Sequence, residues 1–312
     1  MDTAPRTPRG RGDFGGGGVR GWGVAKVMHP RSGPAPEPEG EVVGTLSYLP
    51  PEQAKGLIRN YLAVAEADGF IDRQPGLAGQ RAGELSLPLL ATMAWEVYGF
   101  TQDAAFLKEV FPGLLRFFER WFQPDVDQDG DGLPEWASPQ QCGFDNHPTF
   151  VPYRRWSQNI DISKAETPDL AAYLIREARS LQAIADVVKQ QKTGKRLQKR
   201  IDALQSGLQA LWQVDAGTFR YRDRDAHVSG TGQMIAEGPG DQTLIPSLGL
   251  AEPNRLVVRV MGGVNHQPDV TVTLEGIGAD GQPLTETLPR EAFAWYRSMG
   301  AASSEHIYAR ID

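Results

Sequence analysis

The stretch Asp125–Phe150, DVDQDGDGLPEWASPQQCGFDNHPTF, lies between two sets of helix-like sequence and has the composition of neither a helix nor a strand. It begins with four aspartates at alternate positions and contains glycines and prolines, which interrupt regular structure. Its aromatic residues Trp136, Phe144 and Phe150 argue against disorder. We therefore predict a long ordered loop, and such loops in compact chains usually carry function.

Apolar residues recur with helical spacing on both sides of this loop. Before it, the pattern predicts helices over 56–68 and 87–100, followed by two helical runs separated at Pro112. After it, the pattern predicts two long helices, one with Pro168 in its first turn and one beginning near Gly194. These elements predict a mainly α array.

The pattern changes beyond Gly217, where short runs alternate apolar and polar residues between Gly, Asp and Pro. We therefore predict three segments. Residues 1–40, rich in Gly, Pro and Arg, are a disordered or artefactual tail, residues 41–217 are the helical part, and residues 218–312 are a small β-sandwich-like module.

Composition limits the classes of partner. The formal net charge is −7 and the pI is near 5.4, which does not favour nucleic acid. No apolar run reaches the roughly 18 residues of a membrane span, so no membrane partner is predicted. Cys142 is the only cysteine, and the N-terminal arginines precede no apolar signal segment, so we expect a cytoplasmic protein.

The alternate aspartates Asp127, Asp129 and Asp131 precede Gly132 and a later carboxylate, Glu135. Carboxylates on a tight turn can converge on a hard cation such as calcium. An EF-hand would need a glutamate at a position that is occupied here by Trp136, so the match to that motif fails. Two interpretations stay open, a looser calcium loop and a solvated acidic turn. The five histidines are scattered and predict no metal site.

Asp145 lies in a Gly-Phe-Asp-Asn turn beside aromatic residues. Partial desolvation of its carboxyl group would raise its pKa, which is what a general acid requires. The alternative is an aspartate that only forms a turn with its own backbone.

The order of four pieces resembles the six-hairpin glycosidases, and most of all glycoside hydrolase family 63 with its mannosylglycerate-hydrolase-like and α-glucosidase members. The pieces are 86–122, 127–136 (DQDGDGLPEW), 143–150 (GFDNHPTF) and 169–185, and the likeness extends over 56–212. The resemblance implies that the helical array is part of an (α/α)6 toroid.

The resemblance also implies functional roles. It makes Asp145 the general acid of an inverting α-glycoside hydrolase that acts on an oligosaccharide or small α-glycoside. The implied sugar subsite consists of Trp136, Phe144 and Asn146. The implied calcium loop consists of Asp127, Asp129 and Asp131, assisted by Glu135 and the carbonyl of Leu133.

Two departures from the family pattern matter. No segment matches the one that carries the general base, and the chain stops on an apparent strand, so we expect an N-terminal fragment with little or no turnover. The alternative hypotheses are a non-catalytic carbohydrate-binding or scaffolding protein and a calcium-responsive module without sugar chemistry.

Overall fold

The computed structural model describes residues 49–76, 79–143, 147–151, 157–158, 160–229, 233–241, 243–245, 255–263, 269–278, 280–297 and 306–311. In this part of the chain the helices are α1 (Pro51–Ala63), α2 (Leu90–Thr101), α3 (Ala104–Arg120), α4 (Pro139–Cys142), α5 (Pro168–Val187) and α6 (Gln191–Ala210). The predicted mainly α class is confirmed. The predicted tail, residues 1–40, lies outside the described residues, and the predicted division at residues 217 and 218 stays a prediction.

Helix α3 contributes several of the largest fully buried side chains. Its inward side chains follow one another at spacings of three or four residues, as a helix with one buried face requires. Each fully buried Leu or Phe contributes about 1.5–3 kcal/mol relative to an exposed one. Those with 2% exposure or less are Phe106, Leu107, Leu114, Phe117, Phe118 and the adjacent Trp121.

The predicted break at Pro112 is wrong, because α3 continues through it from Ala104 to Arg120. Proline lacks the N–H that would bond the carbonyl four residues earlier, and this normally destabilises a helix interior. Burial of Phe111 and Leu114 on either side offsets this loss. Packing therefore overrides local propensity here.

Helices α5 and α6 form the hairpin that the sequence predicts. The Gln182 side chain donates to that of Gln198 at 2.8 Å, and Asp186 lies beside Gly194, so the two helices run antiparallel. Lys189, in the short connection, has a left-handed φ of 61°. The apolar side chains that they bury include Leu170, Leu174, Leu181, Ile184, Leu197, Ile201 and Leu204.

A buried carboxylate fixes the start of α2. The fully buried Glu177 of α5 accepts hydrogen bonds from the N–H groups of Ala91 (2.6 Å) and Thr92 (3.0 Å) and from the Thr92 hydroxyl (2.9 Å). The helix has no cap from its own N-cap residue, Leu89. Since Glu177 satisfies these orphan donors, α2 begins at Leu90, three residues later than its apolar pattern predicts.

The described strands are short and antiparallel. A three-stranded sheet has the order β5–β9–β8, β6 pairs with β7 as a hairpin, and two-residue pairs join β1 to β4 and β2 to β3. The strands are β1 (Ala165–Glu166), β2 (Trp212–Gln213), β3 (Thr218–Phe219), β4 (Arg222–Asp223), β5 (Val258–Gly263), β6 (Val272–Ile277), β7 (Pro283–Leu288), β8 (Ala294–Arg297) and β9 (His306–Ile311).

Strands β3 to β7 and β9 coincide with predicted runs, but β1, β2 and β8 were not predicted. The small β1–β4 pair places Glu166 opposite Arg222, which positions the site described below. Among the helices that the structure describes, none has the length and apolar character that crossing a bilayer requires.

Candidate metal centre and the predicted acid turn

The aspartate-rich loop follows α3, and an ion pair links the end of the helix to the start of the loop. The guanidinium of Arg120 donates to both carboxylate oxygens of Asp125, at 2.8 and 2.5 Å. Further along, the Glu135 N–H donates to the Val126 carbonyl at 3.0 Å and closes the loop. Within the described residues of this loop, the expectation of irregular structure is wrong at the four-residue helix α4, which is capped by the Ser138 hydroxyl.

The three alternate aspartates are bonded to the backbone of their own turn. Asp127 accepts from the Gly132 N–H at 3.2 Å, Asp129 from the Asp131 N–H at 3.3 Å, and Asp131 from the Leu133 N–H at 2.7 Å. These contacts are those of an acidic turn, and they leave further carboxylate lone pairs available to a cation. The calcium ligand set stays a prediction.

Glu135 is 3% exposed and accepts from the Gln128 N–H at 3.3 Å. Its other oxygen, Oε1, has no hydrogen-bond partner in the described part of the chain. Burial raises the pKa of Glu135 to about 8, with smaller contributions from nearby Asp129 and Asp127. A carboxylate in this state gains from a nearby cation, which would supply the missing partner.

Four donor groups converge next to this loop. One ligand atom each from Asp129, Asp131, Glu166 and His227 lies within 4.8 Å of every other. His227 faces Asp129 Oδ2 through Nε2 at 3.6 Å and Glu166 Oε1 through Nδ1 at 3.5 Å. The sequence prediction included the two aspartates but missed Glu166 and His227, because no local spacing connects them to the loop.

Glu166 is 1% exposed, and Arg222 is its charged neighbour. Arg222 donates to Glu166 Oε2 and, at 2.7 Å, to Asp131 Oδ2, so one guanidinium joins two carboxylates of the cluster. Burial raises the pKa of Glu166 to about 7, although the bond from Arg222 lowers it. Its Oε1 has no hydrogen-bond partner among the residues described. A bound cation would supply a partner to this buried oxygen.

Trp136 is completely buried, and its indole N–H donates to Asp169 Oδ2 at 3.0 Å. Its ring meets that of Trp121 edge to face, with centroids 5.6 Å apart. The expected role of Trp136 in a sugar subsite stays a prediction. The other predicted site residues, Phe144, Asp145 and Asn146, lie outside the described residues.

His147, two positions after the predicted acid, has both ring nitrogens engaged. Nδ1 accepts from the Thr149 N–H at 3.2 Å, and Nε2 lies 3.3 Å from the Tyr221 hydroxyl. Since Nδ1 is an acceptor, the neutral ring carries its proton on Nε2 and donates it to Tyr221. Burial lowers the pKa of His147, and the nearby Asp169 opposes this shift.

A family model covers all four residues of the cluster around Glu166 and His227. The model of the mannosylglycerate hydrolase MGH1-like glycoside hydrolase domain matches residues 49–254, which contain the aspartate loop, the predicted acid turn and His227. The chain belongs to this glycoside hydrolase family. The resemblance predicted from the sequence is thereby confirmed.

Individual relatives match over shorter spans. A trehalase from Arabidopsis thaliana is 34% identical over 71 residues, which is 22% of this chain and 10% of the relative. The GH63 mannosylglycerate hydrolase from Thermus thermophilus in complex with glucose is 23% identical, with a TM-score of 0.44 over 55% of each chain. The same enzyme in complex with Tris is 19% identical, with a TM-score of 0.46 over 57% of this chain and 59% of the other. The chain thus spans a tenth of the trehalase and somewhat more than half of the solved structures.

Proposed function

We propose that this chain acts in the hydrolysis of α-glycosidic bonds, with an oligosaccharide or a small α-glycoside as substrate and with inversion at the anomeric carbon. The observation that carries the proposal is the match of a glycoside hydrolase family model over residues 49–254. The matched residues include Asp145, whose carboxyl group is of the type that serves as a general acid. We infer a compound of the mannosylglycerate or α-glucoside type as the substrate class.

In this mechanism Asp145 donates its proton to the glycosidic oxygen while the bond to the anomeric carbon breaks. A second carboxylate, about 6.5–9.5 Å from the first, accepts a proton from the attacking water on the opposite face of the sugar. We leave this general base unassigned. Phe144, Asn146 and Trp136 are proposed to contact the sugar, since aromatic faces and amides suit its C–H and hydroxyl groups.

We further propose that the loop holds calcium through Asp127, Asp129 and Asp131, with Glu135 and the Leu133 carbonyl completing the ligands. The buried, unpartnered Glu135 Oε1 supports a cation here. When bound, calcium supplies charge neutralisation and a fixed loop geometry. The check is thermal unfolding with and without excess calcium chloride. The melting temperature should rise in the wild type, and the rise should be smaller in Asp127→Asn.

The glycosidase proposal is tested by replacing Asp145 with Asn. The purified chain is assayed against mannosylglycerate, trehalose and α-glucosides, and NMR follows the anomer that is released first. Because no segment of the chain matches the one that carries the general base, we expect little or no turnover by this chain alone. Any hydrolysis that is measured should give the inverted product and fall by about 10²–10⁴-fold in Asp145→Asn. The control is Asp202→Asn on α6, where the carboxylate bonds only the exposed Gln198 side chain among the contacts described, and its rate should equal that of the wild type.

Measurable hydrolysis at equal rates in the wild type and in Asp145→Asn would remove Asp145 from the mechanism. Sugar binding without hydrolysis of any substrate would instead support a carbohydrate-binding protein. The absence of nucleic-acid and membrane partners and the cytoplasmic location stay predictions of the sequence.

A further inference from the structure

Helix α6 carries a row of positive charges on its solvent-facing side. All of its basic residues lie in its first half, within 191–200, and its one acidic residue, Asp202, follows them. Because they recur at spacings of three and four residues, they share one face, opposite the buried Leu197 and Ile201. We call this set the basic stripe, and its members are Lys192, Lys195, Arg196, Lys199 and Arg200.

The position of the basic stripe is unfavourable for the helix itself. The N-terminal end of a helix carries partial positive charge, so acidic residues stabilise that end and basic residues stabilise the other. Helix α6 has no acidic residue in its first turn and no basic residue in its last turn. Like charges four residues apart, as at Lys195 and Lys199, also repel each other. Helix stability therefore does not account for the stripe.

Most of the stripe has no counter-ion, although the chain as a whole has a net charge of −7. Arg196 donates to Glu119 of α3. The other four members form no ion pair with any residue that the structure describes. Elsewhere, arginines such as Arg120 and Arg222 bond carboxylates. Uncompensated positive charge on one face of an acidic chain creates a local field that attracts an anionic partner.

A groove of about 500 Å³ runs beside the stripe, between α3 and α6. Three members of the stripe line it, together with Phe118, Phe122 and Glu119 of α3 and the residues that follow that helix. The guanidinium carbon of Arg200 lies 4.0 Å from the centroid of the Phe122 ring. A guanidinium stacked in this way keeps its N–H edge available to a carboxylate. The groove therefore offers cationic donors next to apolar surface.

We propose that the basic stripe and this groove form a docking surface for an acidic, amphipathic helix of another protein. Glutamates one helical turn apart, about 5.4 Å along the axis, match the step between Lys195 and Lys199. Apolar side chains of the same helix fit the groove beside Phe122. Recognition of acidic motifs by basic clusters is a recurring mode of peptide binding.

Other polyanions fit this surface less well. A nucleic acid or an acidic polysaccharide supplies charge, but Arg200 covers a face of Phe122 on which a base or a sugar would stack. An anionic membrane would bring the net negative charge of the rest of the chain close to like charge. The stripe lies outside the aspartate loop, so this proposal does not rest on the proposed function.

The experiment is fluorescence anisotropy of a labelled helical peptide titrated with the full chain. The peptide carries glutamates one turn apart and leucines along the adjoining face, and a second peptide has glutamine in place of every glutamate. We compare the wild type with the double variant Lys195→Gln/Lys199→Gln. The matched control is Lys108→Gln/Arg116→Gln, which removes two exposed positive charges from α3 outside the groove.

We expect the glutamate peptide to bind and the glutamine peptide not to bind. The affinity for the glutamate peptide should fall by about 10-fold in Lys195→Gln/Lys199→Gln and stay at the wild-type value in the control. Added salt should weaken the binding, because exposed charges are screened. Glutamine has a helix propensity close to that of lysine, so the double variant should keep its wild-type circular dichroism spectrum.

The same titration is repeated with polygalacturonate, single-stranded DNA and phosphatidylserine vesicles as competitors. Three results would overturn the proposal. The first is a wild type that does not bind the glutamate peptide, and the second is equal affinity in the wild type and the stripe variant. The third is a competitor that binds more tightly than the peptide and loses its affinity in the stripe variant, which would assign the surface to that polyanion.

Discussion

The helical part of the described chain and its aspartate loop are stabilised by different interactions. Helices α3 and α5 bury apolar side chains such as Leu114 and Leu181 at regular spacing, and the hydrophobic effect holds them together. The loop 125–143 instead uses carboxylates that accept backbone N–H groups, and Arg120 and Arg222 at its sides. Burial of apolar side chains stabilises the helical region, whereas hydrogen bonds and ion pairs determine the conformation of the loop.

This difference separates structure that is determined by neighbouring residues from structure that depends on residues far apart in the sequence. A periodic apolar face is visible in one window of sequence. The partners of the loop, among them Arg222 and Glu166, come from positions far along the chain and meet it only after folding. Three predictions test where this boundary lies, from the largest expected effect to the smallest.

The largest effect is expected at Glu177, a charged residue buried in the otherwise apolar helical region. Glu177→Ala removes a buried carboxylate that bonds Ala91 and Thr92, and it leaves two helix N–H groups without an acceptor and a cavity in the core. We expect a loss of about 3 kcal/mol in the free energy of unfolding, measured by urea denaturation.

Glu177→Gln is the matched control, because its amide oxygen can still accept from one N–H group. It should lose clearly less stability than the alanine variant. If both variants unfold at the wild-type urea concentration, the carboxylate does not cap α2 and apolar burial alone stabilises this region.

The contact between the helical region and the aspartate loop is tested at two glycines of α6, Gly207 and Gly194. Glycine-to-alanine changes inside a helix normally stabilise by up to about 1 kcal/mol. At Gly207, however, an added Cβ would lie 2.7–2.8 Å from three atoms of the Leu133 side chain in the loop. We therefore expect Gly207→Ala to destabilise by about 1–3 kcal/mol, because the buried Leu133 must move as a whole.

Gly194→Ala is the comparison, since its nearest neighbour would be Asp186 Oδ1 at an ordinary 3.8 Å. It should raise the midpoint of denaturation. A Gly207 variant that is stabilised to the same degree would show that the loop does not pack tightly on α6.

The smallest effect is expected at the surface of the helical region. Asp103 caps α3 by accepting from the Phe106 N–H at 3.0 Å, and the Lys55 ammonium donates to it at 2.8 Å. The bond from Lys55 lowers the pKa of Asp103, so its stabilising contribution is present above its unfolded pKa and is lost as the pH falls through the folded value.

Asp103→Asn keeps a capping acceptor but has no charge to lose. The melting temperature of the wild type should exceed that of the variant by a few degrees at most near pH 6, and the gap should close toward pH 3. A gap that stays constant with pH would assign the effect to capping geometry and not to the ion pair.

The sequence predicted the structure correctly wherever an element depends mainly on its own residues. The apolar spacing of α5 and α6 predicted both helices, and the acidic, glycine-rich stretch predicted the loop. The prediction was wrong at Pro112, where burial outweighs a missing hydrogen bond. It was also wrong at the start of α2, whose first residue is determined by the contact with Glu177. In both cases a tertiary contact overrides a local signal.

The candidate site shows the same limit more strongly. Asp129 and Asp131 stand out in the sequence, but Glu166 and His227 carry no signal near them, because the β1–β4 pair and the turn after it bring them in. The wide separation of the histidines, taken as evidence against a metal site, is therefore uninformative about a site built from remote segments.

The hydrogen bonds of His147 make its ring a reporter of the turn beside Asp145. Since the ring must accept from Thr149 and donate toward Tyr221, only one tautomer is compatible with this geometry. Nitrogen chemical shifts distinguish the two tautomers and the imidazolium in solution. A single histidine resonance can thus tell whether the segment next to the proposed acid keeps its folded arrangement, without any sugar or metal in the sample.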